Sequence, residues 1–128
     1  MADLIKMERG HPCIILFYGA YCPKCRSLFS GFSEYAEFCR KNGIAFLGFS
    51  VDDDKNTLKE YLKDKKFSFV PYILKYKKGQ LKKEMKQFGI DMEKAFYIPF
   101  AALFDSKGNL LKQWNGDIDN ANDIQSSY

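Results

Sequence analysis

Two cysteines three residues apart, Cys22 and Cys25, close the stretch FYGAYCPKC. Such a pair supports three chemistries: half of a zinc site, a structural disulfide, or a dithiol that cycles with its disulfide. The flanking residues bear on the choice. The apolar run CIILFYG ends at Gly19, and Pro23 suits the first position of a helix, where its missing N–H costs nothing and its fixed φ is already helical. Cys22 then stands beside a helix N-terminus, whose unpaired backbone N–H groups favour a thiolate. Lys24 adds a positive charge nearby. Thiols in such surroundings ionise at roughly pH 3.5–7.5 instead of about 8.5. Cys22 is therefore expected to attack and Cys25, one turn into the helix, to resolve.

Cys13 and Cys39 extend the pattern to C-x8-C-x2-C-x13-C, which superficially offers four zinc ligands. Strand and helix rises place each of them on the order of 20 Å from the pair, which disfavours zinc. Because strand and helix run in opposite directions, both fall at the far end of the domain. They are read as two buried free thiols, with a second disulfide as the alternative. His11, the single histidine, is read as a surface residue near the strand start.

The elements that must position the pair follow from the apolar pattern. At 128 residues, 46% apolar and 16% aromatic, the chain suits one globular domain spanning 1–128 and needs no disulfide scaffold. Residues 3–9 are expected as a short helix and Cys13–Tyr18 as a strand buried on both faces. Residues 27–41 have apolar positions at helical spacing and stop at Gly43; 44–51 is a second buried strand. DDDKN supplies caps for a helix over 57–67; a calcium loop would need spaced carboxylates and a central glycine. Pro71 excludes a central strand position, QLKKEMKQFGI reads as a helix ending near Gly89, and 100–104 with 109–114 form a hairpin around DSKG. Strand, helix, strand, helix and hairpin make an α/β sandwich: a mixed sheet with helices on both faces. The polar tail 117–128 stands outside the core.

The net charge of +4 is local, with six lysines against one glutamate in KYKKGQLKKEMK. This is read as a solvated face, with steering toward an acidic partner as the minority reading; without arginine or an aromatic platform it is no nucleic-acid site. No apolar stretch reaches the roughly 20 residues of a membrane span, and MADLIKMERGHP is not a signal peptide.

Three separated features resemble the thioredoxin-fold thiol–disulfide oxidoreductases, over about residues 10–116. FYGAYCPKC is similar to their strand, aromatic lead-in and CxxC. YIPFAALFDSKGNLLKQWNG is similar to their cis-proline segment and final hairpin. FLGFSVDDDKNTLKEYLKDKKFSF resembles the second strand and helix of the TlpA/ResA-like branch. The resemblance implies a thioredoxin-like sandwich, Pro99 as the cis-proline facing the cysteines, and an insertion at about 71–94. It also exposes departures. Leu16 stands six residues before Cys22, where thioredoxins place a buried aspartate, and Leu28 stands where ResA-like proteins often have a glutamate. Tyr21 replaces the usual tryptophan, the usual first strand is reduced or absent, and the closing helix is truncated. Gly19 replaces the threonine or serine of a peroxidatic site, and FAALFD lacks a glutaredoxin's Gly-Gly pair.

By that resemblance Cys22 and Cys25 reduce disulfides of partner proteins, replenished by an upstream thiol reductant or oxidant. The backbone at Ile98 pairs with substrate, and Tyr21, Pro23 and Phe100 form an apolar rim. No metal or organic cofactor is required, and a monomer is expected. The branch leans toward an extracytoplasmic setting, while free thiols and the lack of a signal segment suit the cytosol. A redox-inert adaptor and a structural zinc site are the alternatives.

Overall fold

The computed structural model describes residues 6, 10–52, 54–65, 69–74, 80–90 and 97–115. The elements are β1 (Cys13–Tyr18), α1 (Pro23–Lys41), β2 (Ala45–Ser50), α2 (Lys55–Leu62), β3 (Pro71–Ile73), α3 (Gln80–Lys86), β4 (Phe100–Phe104) and β5 (Leu110–Asn115). The helix expected over 3–9 and the tail 117–128 lie outside the described residues, apart from helical Lys6.

The five strands form one sheet in the order β3-β2-β1-β4-β5. β1 pairs in parallel with β2, from Cys13 opposite Ala45 to Tyr18 opposite Ser50, and antiparallel with β4, Phe17 opposite Phe100. Every residue of β1 is buried, as a continuous apolar run at the centre of a sheet covered on both faces requires. Side chains alternate between the faces. Ile14, Leu16 and Tyr18 pack with Phe29, Phe32 and Cys39 of α1 and Leu58 and Leu62 of α2. Cys13, Ile15 and Phe17 pack on the other side with Met85 of α3, Ile90, Phe100 and Phe104. Segment 71–94, expected as an insertion, thus supplies an edge strand and a covering helix. Pro71 opens that strand on the sheet edge, where its missing N–H is tolerated.

Local chemistry sets the ends of the elements. α1 ends at Asn42, whose N–H donates to the Phe38 and Cys39 carbonyls, and Gly43 follows at φ +70°. Asp54 caps α2 by accepting the Asn56 N–H at 2.8 Å. In the hairpin, Asp105 accepts the N–H groups of Lys107 at 2.9 Å and Asn109 at 2.8 Å. On α3, Lys82, Lys83 and Lys86 are exposed while Met85 is buried; residues 75–79 of the lysine-rich segment lie outside the described residues.

One end of the sheet gathers three segments. The C-terminal ends of β1 and β2 and the start of β4 lie side by side, which brings together loop 19–22, Val51–Asp52 and Ile98–Pro99.

Candidate functional site

Cys22 is the N-cap of α1 and Pro23 its first residue. The Cys25 backbone N–H donates to the Cys22 Sγ at 3.2 Å, so the sulfur occupies the place an oxygen takes in an ordinary cap. The Cys22 thiol also points at the Ile98 carbonyl oxygen, 3.9 Å away. Cys22 is 8% exposed and Cys25 is 2% exposed, and both are free thiols, so this is the dithiol form. Burial, first, and then a hydrogen bond with the Cys22 side chain push the Cys25 thiol up from its ordinary value, against a weaker opposing pull from the Gly19 backbone. Of the two sulfur-bearing residues Cys22 is thus the less buried, and burial favours the protonated form of Cys25.

The lead-in loop is shaped by a close approach at Gly19. A Cβ there would stand 2.8 Å from the Tyr21 ring and 3.1 Å from the Ile98 side chain, so a larger residue would push one or both of them off the loop. Tyr21 is 65% exposed, Pro23 is exposed and Lys24 half-buried. Ile98 is half-buried and Pro99 buried, and the peptide bond between them is cis. The Tyr97 N–H donates to the Asn115 Oδ1 at 2.7 Å, tying the Ile98 segment to the end of β5.

Phe100 does not belong to the rim. Its side chain is 3% exposed and stacks on Phe17 at 5.7 Å, on the sheet face opposite α1. Strand alternation turns it away from the cysteines. The exposed aromatic beside Ile98 is instead Tyr97, at 58% exposure.

Asp52 was missed by sequence reasoning. It is 3% exposed and accepts the Ala20 N–H with both carboxylate oxygens, at 2.9 and 3.1 Å. The Ser50 hydroxyl donates to it at 2.6 Å, and the Asp52 N–H donates back to the Ser50 oxygen at 3.0 Å. A buried carboxylate therefore anchors the loop two residues before Cys22. The run DDDKN was read only as a source of helix caps; the available signal was that Asp52 follows a buried strand running parallel to the one that leads into the cysteines.

Cys13 and Cys39 are both buried free thiols, in cores on opposite faces of the sheet. Among the described residues no three histidine, cysteine, aspartate or glutamate side chains cluster as metal ligands. No described helix is long and apolar enough to cross a membrane. Beside Tyr21 an open cleft runs between the start of α1 and α2, lined in part by Arg26, Glu60, Tyr61 and Lys65. Arg26 and Lys65 both lie over the Tyr61 ring, at 5.3 and 4.8 Å.

The profile of the AhpC/TSA family matches residues 2–125. None of the curated proteins matches the chain in sequence. Among solved structures, a thiol:disulfide interchange protein of the thioredoxin family from Chlorobium tepidum superposes with a TM-score of 0.76 at 20% identity, covering 95% of this chain and 80% of that one. A secreted Mycobacterium tuberculosis disulfide oxidoreductase, homologous to E. coli DsbE, gives 0.71 at 13% identity over 95% and 83%. StoA from Bacillus subtilis gives 0.68 at 17% identity over 93% and 83%. At these identities the likeness is one of fold: the mixed sheet flanked by helices is thioredoxin-like.

Proposed function

The chain belongs to the AhpC/TSA family, and we propose that within it the protein is a thiol–disulfide oxidoreductase that reduces disulfides of partner proteins. The observation that carries this reading is the Cys22 sulfur at the N-cap of α1, hydrogen-bonded by the Cys25 N–H at 3.2 Å, with Cys25 buried behind it. Two of the similar structures, a thiol:disulfide interchange protein and a disulfide oxidoreductase, support the same chemistry.

In the proposed cycle the Cys22 thiolate attacks one sulfur of a partner disulfide, and the other leaves as a thiolate. Cys25 then attacks Cys22, breaks the mixed disulfide and leaves Cys22–Cys25 oxidised. Two electrons pass to the partner, and an upstream dithiol restores the pair. Ile98 and Pro99 offer backbone for the substrate strand, and Tyr21, Pro23 and Tyr97 its apolar surroundings. Lys24 adds positive charge near the attacking sulfur.

The test is trapping combined with a potential. Cys22→Ser abolishes exchange, whereas Cys25→Ser accumulates a mixed disulfide with a disulfide-bonded protein substrate. Equilibration in graded thiol buffers returns a potential below about −220 mV for a reductant; one near about −120 mV would reverse the assigned direction. Full turnover by either single variant, or a pair that never oxidises, would overturn the reading.

A further inference from the structure

The segment that carries Cys22 is a tight turn fixed at two points. The Cys22 N–H donates to the Gly19 carbonyl at 3.1 Å, so residues 19–22 form a turn that closes on the attacking cysteine itself. Within it the Ala20 N–H donates to both carboxylate oxygens of Asp52, at 2.9 and 3.1 Å. Asp52 in its turn is fastened to the sheet. The Val51 N–H donates to the Tyr18 carbonyl at 2.8 Å, and the Leu74 N–H donates to the Ser50 carbonyl at 2.9 Å. The Ser50 hydroxyl donates to the carboxylate at 2.6 Å and accepts the Asp52 N–H at 3.0 Å. The clamp on Ala20 is therefore as rigid as the end of β2.

The turn delivers the cap geometry of the Cys22 sulfur. That sulfur takes a hydrogen bond from the Cys25 N–H at 3.2 Å, and a donor to a charged acceptor favours its charged form. The bond depends on where the turn sets Cys22 against the first turn of α1. Ala20 is 1% exposed and Asp52 3%, so without the carboxylate a buried N–H is left unpaired, and the turn must shift or open to satisfy it. The titratable groups around Cys22 are Tyr21, Lys24 and Cys25 on its own segment, Tyr18 on β1, Asp52 after β2 and Tyr61 on α2; Ile98 and Pro99 bring none. As an anion, Asp52 acting by charge alone would oppose a thiolate at Cys22. Position and charge thus predict opposite effects of its removal.

We propose that Asp52 is a positioning residue for the attacking thiol: by clamping Ala20 it keeps the 19–22 turn in the form that presents the Cys22 sulfur to the Cys25 N–H, and so sustains the thiolate that attacks. This rests on the dithiol–disulfide reading above and deepens it. Asp52 touches no reacting atom and acts only through the turn. A carboxylate that served the fold alone would leave the reactivity of Cys22 unchanged in every molecule that remains folded.

The test measures how fast iodoacetamide alkylates Cys22 in the reduced full chain between about pH 6 and 9, each cysteine being followed by mass spectrometry of its peptide. The buried thiols of Cys13 and Cys39 report opening of the fold in the same sample. Asp52→Ala is expected to slow Cys22 about tenfold at the acid end, with the deficit closing toward the alkaline end, where the thiolate forms without help. Asp52→Asn keeps one oxygen to accept the Ala20 N–H and is expected to be slower than wild type and faster than alanine. Faster alkylation in both variants, the sign of a charge effect, overturns the proposal. Rates within about twofold of wild type, or a deficit equal at every pH, overturn it as well. Where Asp52→Ala also exposes Cys13 and Cys39, Asp52→Asn decides by the same criteria. Wild type is separately given 5,5′-dithiobis(2-nitrobenzoate), which releases one coloured thiolate on attack by Cys22 and a second when Cys25 resolves. Both releases uphold the exchange reading whatever the variants show; no second release removes that reading, and the proposal with it.

Discussion

Truncating Asp52 to alanine tests whether a buried carboxylate holds the cysteine loop. The side chain accepts two donors, the Ala20 N–H at 2.9 and 3.1 Å and the Ser50 hydroxyl at 2.6 Å, and is 3% exposed, so solvent cannot replace it without opening the loop. Hydrogen bonds to charged groups contribute about 1.5–3 kcal/mol each, or about 3–6 kcal/mol for two. Alanine also relieves the desolvation of the carboxylate, which favours the lower end, so the expected loss is about 3 kcal/mol. That is a large share of the roughly 5–15 kcal/mol available to a small domain. The assay is urea unfolding of the reduced protein followed by circular dichroism, with Asp52→Asn as the intermediate case because one oxygen remains to accept. Ser50→Ala removes a single donor and should lose about half as much. An Asp52→Ala protein within about 1 kcal/mol of wild type would refute the anchoring role.

Two further substitutions probe the packing around the same core. A Cβ on Gly48 would lie 2.9 Å from the Phe69 ring, itself wedged against Phe46 at 5.2 Å, Phe29 at 6.0 Å and Tyr18 at 6.1 Å. Gly48→Ala should therefore cost about 1–3 kcal/mol, and Phe69→Leu should cost less in that background than alone; equal costs in thermal or urea unfolding would show that the ring has room to move. Cys39 is fully buried, and burial, first, against a weaker opposing influence of Tyr35, pushes its thiol up to about 12 from 9.0. The folded state then keeps a proton that the unfolded state loses, so this contribution is intact below about pH 9 and fades as pH rises toward 12. Between about pH 7.5 and 10 it falls by about 1.4 kcal/mol. Under reducing conditions the stability gap between wild type and Cys39→Ala should change by that amount, and a pH-independent gap would contradict the assignment.

What the sequence made legible was whatever a local rule decides. CIILFY is apolar throughout, so burial on both faces followed; Pro71 excluded a central strand position; Pro23 marked the helix start that places Cys22 at the cap. What it concealed depended on which face or which neighbour a side chain meets. Phe100 was assigned to the rim because it follows Pro99, yet its register opposite Phe17 commits it to the far face. Of the three aspartates in DDD, nothing local distinguishes the cap from the residue that reaches across to Ala20; that contact exists only because β1 and β2 end side by side. The same period of two bears on the acid missing at Leu16. A strand presents every second residue to one face, so Leu16 and Tyr18 both face α1, and neither supplies an acid behind Cys25. At Tyr18 the strand ends, and the neighbouring β2 contributes Asp52, whose carboxylate holds the Ala20 N–H. The buried carboxylate beside the cysteine loop thus comes from the parallel neighbour and not from β1.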